Sequence, residues 1–260
     1  MGWRTAVLDM DGVVYRGERP IQGSPEAIDR MRKAGKTVKF LTNNATRTCE
    51  EYSEKLERMG IPARPSDVLT SGIATAIYIA KTMGKRRVHV VGSPSLAVEL
   101  TREGLELVES ERAEVVVTSL DFQFSYQKLY DAMRAIRRGC PLISTNKDPV
   151  VPGEDGFVPG AGSITSAVEV ASGVTAINVG KPSTIILSVA ERAWDLERSA
   201  TCIVGDRLDT DVAAGNSFGW RSILVLTGST GESDLRARLP DSHRPSAIYR
   251  DLYEFASAEL

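Results

Sequence analysis

An α/β fold built on doubly wound parallel sheets is what this sequence predicts, and three observations predict it. Short apolar runs alternate with segments of helical periodicity from one end of the chain to the other. Helix starts and stops fall between those runs, which is how parallel strands are joined with helices on both faces. Polar residues with chemical capability gather just past the ends of several apolar runs, where doubly wound, Rossmann-like sheets carry their sites. With 260 residues, 42% of them hydrophobic, the chain can bury a full core, as one large domain or two.

The elements follow in order. Thr5–Leu8 is a short apolar run. Ser24-Pro25-Glu26 predicts a helix start, with Ser24 as cap, and Ala27, Ile28, Met31 and Ala34 give that helix one apolar face up to Gly35. Val38–Leu41 is the next strand. Thr48 and Glu51 have capping-box spacing ahead of a helix with Tyr52, Leu56 and Met59 on its face and Gly60 at its end. Ile73–Met83 reads as a third helix. Further strands are expected at Val88–Val91, Val115–Thr118, Leu142–Ser144, Ala176–Val179, Thr201–Val204 and Ser222–Leu226. Further helices are expected at Ser95–Glu103, Ser125–Arg138, Ile164–Ser172, Thr184–Trp194 and Thr210–Phe218. No fixed-period repeat, low-complexity stretch or Pro/Gly/Ser linker marks a boundary.

Composition removes several function classes. Thirty-two basic against 34 acidic residues leave a net charge of -2, without the basic surplus of a nucleic-acid binder. No apolar run reaches the ~18 residues of a membrane span, and the N-terminus has no signal-peptide pattern. Three widely spaced cysteines do not suit a disulfide framework and fit a cytoplasmic protein. Two histidines leave little material for a His-ligated metal or a Ser-His-Asp triad. Any catalysis falls to Asp, Glu, Lys, Ser or Thr.

The strand ends supply those residues. After the first strand come Asp9, Asp11 and Gly12; after the second, Thr42, Asn43 and Asn44. Gly180 and Lys181 follow the strand ending at Val179, and Gly205, Asp206, Asp209 and Asp211 follow the strand ending at Val204. Gathered carboxylates repel one another, so Asp9, Asp11, Asp206 and Asp211 need a cation, and oxygen ligands without His or Cys suit magnesium. A carboxylate can attack phosphorus to form an aspartyl-phosphate. Thr42 and Asn43 can donate to phosphoryl oxygens, and Lys181 can screen charge. Each unit charge pair at ~4 Å is worth about 4 kcal/mol at an effective dielectric near 20, so loss of either cation should cost several kcal/mol of phosphate binding. Taken singly, each motif has a plain reading. Asp9 and Asp11 can shape a turn, Thr42-Asn43-Asn44 can be an ordinary loop, Lys181 can be a solvated lysine and Asp209 can cap a helix. Their joint order, each after an expected strand, favours a site.

The segments Asp9-Met10-Asp11-Gly12-Val13-Val14-Tyr15, Leu41-Thr42-Asn43-Asn44, Gly180-Lys181-Pro182 and Gly205-Asp206-Arg207-Leu208-Asp209-Thr210-Asp211 resemble the four motifs of the haloacid dehalogenase (HAD) superfamily. The closest likeness is to its NagD-like, nitrophenylphosphatase and phosphoglycolate-phosphatase branch. The resemblance implies that Asp9 is nucleophile and magnesium ligand. Asp11 would protonate the leaving oxygen, activate water, and bind the metal through its main-chain carbonyl. It further implies that Thr42 and Asn43 hold the phosphate, Lys181 screens charge, Asp206 binds the metal and Asp211 holds a metal-bound water; Asp209 receives no role.

The resemblance also implies a HAD-like core at 1–79 and 177–260 and an inserted smaller α/β cap at 80–176, a segment too long for a loop. Within that segment Asn146 and Asp148, following an expected strand, are candidates for contacting the leaving group, while Lys147 either attracts a second anion or is solvated. Gly160-Ala161-Gly162-Ser163 is either an anion-binding turn or a plain helix start. The implied activity is magnesium-dependent hydrolysis of a small phosphorylated metabolite: a sugar phosphate, phosphoglycolate, glycerol phosphate, a nucleotide or p-nitrophenyl phosphate. The alternatives are a phosphotransferase or mutase on the same core, or a catalytically silent small-molecule-binding protein. Neither a nucleic-acid polymer nor a membrane is an expected partner. A homodimer is compatible with the chain, whose oligomeric state the sequence leaves open.

Overall fold

The computed structural model describes residues 2–153, 156–235 and 238–260. Two compact units are present. The first comprises the chain up to Thr42, Cys49–Leu69 and Lys181–Leu260; the second comprises Asn43–Thr48 and Thr70–Gly180. Relative to the expected division, residues 43–48, 70–79 and 177–180 group with the second unit.

The first unit is built on a six-stranded sheet in the order Ala247–Tyr249, Arg221–Val225, Thr201–Gly205, Thr5–Leu8, Thr37–Thr42, Val68–Thr70. Thr5–Leu8 lies centrally, parallel to both neighbours, with Leu8 opposite Val204 on one side and Phe40 on the other. All four of its residues are buried, as a strand covered on both faces requires. Helix Ser24–Lys33 forms as expected, with Ala27, Ile28 and Met31 buried. Its cap is Gly23, at φ +83°, not Ser24. Ser24 is inside the first turn, and its hydroxyl donates to the Val14 carbonyl at 2.6 Å, a tertiary bond that outcompetes local capping. The C-terminal helix Leu252–Glu259 packs on that helix, and Phe255 stacks on Trp3 at 5.3 Å.

The second unit holds a five-stranded sheet in the order Ile177–Asn178, Leu142–Ser144, Val115–Thr118, Arg87–Val91, Glu106–Leu107, parallel throughout. Val91, Val116 and Leu142 join Ala132, Ile136, Ile164 and Val168 from helices Tyr126–Arg137 and Ala161–Ser172 in its core. Thr70 caps helix Ser71–Thr82 by accepting from the Ile73 N–H at 3.1 Å.

The differences from expectation are local. The strand expected at 176–179 is only Ile177–Asn178. The helix expected at 210–218 is a wide π-helical turn, Leu208–Val212, followed by a helix at Ala213–Phe218. Hairpin Val150–Gly153/Gly156–Pro159 and the edge strands Val68–Thr70 and Ala247–Tyr249 carry weak sequence signals, because short strands owe their existence to a neighbour.

Candidate active site

The first unit gathers Asp9, Lys181, Asp206 and Asp211. Asp9 follows the central strand, and Asp206 follows Gly205 at the end of its neighbour. Asp211 sits in the π-helical turn after that strand; such turns recur at functional sites because they re-aim side chains. The Lys181 ammonium is 3% exposed and donates to Asp9 Oδ1 and Asp211 Oδ1, each at 2.6 Å. Carboxylate oxygens of Asp9, Asp206 and Asp211 lie within 4.8 Å of one another.

The electrostatics follow from burial. Desolvation lowers the Lys181 pKa, but the two carboxylates overcome that and raise it, so the ammonium stays charged. Burial raises the Asp9 carboxyl well above its usual range; Lys181 opposes this, while Asp211 and Asp206 reinforce it. Burial, then Asp211, pushes Asp206 up to about 6, against hydrogen bonds from Ser229 and the charge of Lys181. Three ionised carboxylates and one ammonium sum to two negative charges, which a divalent cation cancels. Asp211 is already engaged, its Oδ2 accepting from the Arg207 N–H at 3.2 Å and from the Thr210 hydroxyl at 3.3 Å. An all-oxygen donor set centred on Asp9 and Asp206 fits magnesium.

Asp206 is held by a loop that sequence reasoning passed over. Its Oδ2 accepts from the Ser229 N–H at 2.6 Å, and its carbonyl accepts from the Thr230 N–H at 3.1 Å. A Cβ on Gly228 would lie 2.0 Å from that Oδ2 and one on Gly12 2.7 Å from it, so both positions admit only glycine. The Thr227 hydroxyl donates to the Gly12 carbonyl at 2.6 Å, tying the loop to the turn after Asp11. Thr227-Gly228-Ser229-Thr230-Gly231 follows a strand, so the strand-end rule applied once more would have found it.

Asp206 thereby sets an expected pH response. Its folded pKa lies above the unfolded value, so its contribution is most favourable below about pH 4 and is lost as pH rises through about 6. At pH 7.5 without metal, ionised Asp206 should cost about 3 kcal/mol. Asp206→Asn should therefore melt higher than wild type in chelator at pH 7.5, with the gap closing near pH 4.5. Magnesium should raise the wild-type midpoint more than the variant's. A variant less stable in chelator at pH 7.5 would refute this account.

Asp11 is exposed and lies outside the carboxylate cluster. Desolvation nonetheless raises its carboxyl pKa, with Lys55 and then Arg16 opposing. Thr42 is buried at the end of the strand beside Thr5–Leu8, two residues past Phe40, the partner of Leu8.

Asn43, Asn146 and Asp148 come together within the second unit. Asn43 Nδ2 donates to Asp148 Oδ2 at 2.9 Å, and Asn146 Nδ2 donates to the Asn43 carbonyl at 2.8 Å. Lys147, half-buried, pairs with Glu169 Oε1 at 2.6 Å. The Gly162 N–H, in the suspected anion-binding turn, donates to the Asp148 carbonyl at 2.9 Å, and a Cβ there would lie 2.3 Å from the Lys147 carbonyl. That glycine turn serves close packing of main chain. Among the described residues, no helix is long and apolar enough to cross a membrane.

Comparison with known proteins adds to this geometry. A family model described as haloacid dehalogenase-like hydrolase matches residues 6–106, and a HAD-hydrolase-like model matches residues 178–255. The acid sugar phosphatase of Staphylococcus aureus is 39% identical over 259 residues, covering 99% of this chain and 98% of that one. A p-nitrophenyl phosphatase structure from Archaeoglobus fulgidus superposes with a TM-score of 0.93 at 32% identity, covering 99% of this chain and 100% of that one. The glycerol phosphate phosphatase of Mycobacterium tuberculosis, solved in complex with magnesium, gives a TM-score of 0.90 at 33% identity, covering 97% of this chain and 76% of that one.

Proposed function

This chain belongs to the haloacid dehalogenase-like hydrolases, and from that premise we propose that it hydrolyses small phosphomonoesters through an aspartyl-phosphate formed on Asp9. The observation that carries the reading is the buried Lys181 ammonium bridging Asp9 and Asp211 at 2.6 Å each, with Asp206 beside them. A lone ammonium cannot balance three carboxylates and an incoming phosphate dianion.

Asp9 is the nucleophile. Its oxygen attacks phosphorus and the ester oxygen departs with a proton from Asp11. Asp11 then takes a proton from water, which attacks the aspartyl-phosphate and releases inorganic phosphate and the Asp9 carboxylate. The upward shift of the Asp11 carboxyl suits a group that must hold a proton first, and its exposure suits one that must meet a leaving oxygen. Thr42 and Asn43 donate to phosphoryl oxygens. Lys181 offsets charge on the nucleophile and phosphoryl group, and Asp211 holds Lys181 in place. Asp9 and Asp206, with the Asp11 carbonyl, would hold magnesium; bound there it would supply charge neutralisation and Lewis acidity toward the phosphoryl group.

We assign the core role to the first unit and the role of a leaving-group-selecting cap to the insert. The names of the relatives support sugar phosphates, glycerol phosphate and p-nitrophenyl phosphate as the first substrates to try. A cytoplasmic setting goes with this reading. The test is phosphate release from a panel of these esters, phosphoglycolate and nucleotides, with magnesium and with chelator. Release that stops on chelation, with no phosphoryl group passed to an added alcohol acceptor, is expected. No release from any ester, or stoichiometric transfer to the acceptor, would overturn it.

A further inference from the structure

Three side chains of the second unit close a ring of hydrogen bonds. Asn43 Nδ2 donates to Asp148 Oδ2 at 2.9 Å, the Asp148 N–H donates to Asn146 Oδ1 at 3.1 Å, and Asn146 Nδ2 donates to the Asn43 carbonyl at 2.8 Å. The ring is anchored from outside. The Ser71 hydroxyl also donates to the Asn43 carbonyl, the Gly162 N–H holds the Asp148 carbonyl at 2.9 Å, and the Ser144 hydroxyl donates to the Asn146 carbonyl at 2.5 Å. Asn43 and Asn146 are 9% and 5% exposed and Asp148 is half-buried. The bond from Asn146 to the Asn43 carbonyl therefore forms away from competing water, and the two bonds of Asp148 lie at the edge of the buried region.

We propose that Asp148 and Asn146 are positioning residues that act through Asn43, setting affinity for the phosphoryl group itself whatever alcohol carries it. The inference rests on the phosphatase reading and on Asn43 as a phosphate-holding residue. An asparagine amide turns about a broad, roughly two-fold torsion, and a half turn exchanges donor for acceptor. A phosphoryl oxygen accepts only, so one orientation binds it and the other repels it. An ionised carboxylate also accepts only, and Asp148 therefore selects the orientation with Nδ2 as donor. Gly180 confines the other end of the amide: a Cβ there would lie 2.7 Å from Asn43 Oδ1. Asn146 and Ser71 fix the Asn43 carbonyl, and with it the main chain at that residue. A carboxylate beside a phosphate dianion repels it, so the contact through which Asp148 can favour phosphate is the Asn43 amide.

The experiment measures KM and kcat for three phosphomonoesters with unlike leaving groups, and Ki for inorganic phosphate, which has none. It compares wild type, Asp148→Ala, Asp148→Asn, Asn43→Ala and the double variant Asp148→Ala/Asn43→Ala. For Asp148→Ala, KM for all three esters and Ki for phosphate should rise by one common factor of about tenfold or more, the worth of a charge-assisted hydrogen bond. Asp148→Asn, which can turn its own carbonyl toward Nδ2, should recover part of the loss. In the Asn43→Ala background, Asp148→Ala should add less than about twofold. A loss that differs among esters while Ki for phosphate stays put would place Asp148 on the leaving group and overturn the inference. Independent, multiplying losses from the two alanine variants would overturn it also. If Asp148→Ala does not fold, Asp148→Asn alone decides, by whether KM and Ki move together. Wild type without phosphate release would count against the phosphatase reading; active wild type with unchanged Asp148→Ala counts against this inference alone.

Discussion

Asp9→Asn is expected to lower phosphate release by about 10⁴-fold or more, on the scale of losing a covalent nucleophile, while the fold remains. The amide keeps the shape of the carboxylate but cannot attack phosphorus. The folded state should not suffer. Asp9 is buried beside two other carboxylates that push its proton affinity up, so a neutral side chain removes repulsion in the metal-free protein. Lys181 retains Asp211 at 2.6 Å as an ionic partner. The check is phosphate release under saturating substrate, alongside thermal unfolding in chelator. Activity within tenfold of wild type would remove Asp9 from the proposed role. A strongly lowered melting midpoint would show that its carboxylate supports the fold, contrary to the electrostatics described above.

Lys181→Met should damage both stability and activity. Methionine fills similar volume but leaves Asp9, Asp206 and Asp211 without their ammonium. Breaking a buried pair by removing one partner typically costs about 3–5 kcal/mol, because the remaining charge stays buried and unmatched. At this chain size that lowers the melting midpoint by about 10 °C. The loss should be largest in chelator at pH 7.5 and smaller near pH 5, where Asp206, with its pKa near 6, takes up a proton. Magnesium should restore part of the stability by replacing the missing positive charge. It should not restore turnover, since an ion held by Asp9 and Asp206 does not take the place of the ammonium that bridges Asp9 and Asp211. Unfolding curves at both pH values, with and without magnesium, check this. Equal stability of variant and wild type in chelator at pH 7.5 would contradict the role given to the ammonium.

Much of the fold was legible in the chain. Thr5–Leu8, Val115–Thr118 and Leu142–Ser144 lie where continuous apolar runs put them. Helix ends at Gly35 and Gly60 fall at positive φ, as their placement implied. The illegible elements depend on neighbours. Val68–Thr70 and Ala247–Tyr249 are three-residue edge strands, whose preference to extend comes from the ladder they join. Ser24 looks like a helix cap, yet its hydroxyl has a better partner in the distant Val14 carbonyl.

The residues of the site divide in the same way. Asp9 and Asp206 were readable because each follows a strand of one parallel sheet, whose ends converge, and Asp211 lies in the turn after the second of those strands. Lys181 follows Ile177–Asn178, an edge strand of the other sheet, so packing and not strand-end position brought it to Asp9. The chain alone thus determined which groups are at hand and what chemistry they share. Tertiary structure decided what each one is bonded to. It turned Asp148 and Asn146 toward Asn43, gave Lys147 to Glu169, and brought residues 227–230 against Asp206. Strand-end position is a local property, written in periodicity. Hydrogen-bond partnership is decided by competition among groups a hundred residues apart, and only packing settles which of them arrives.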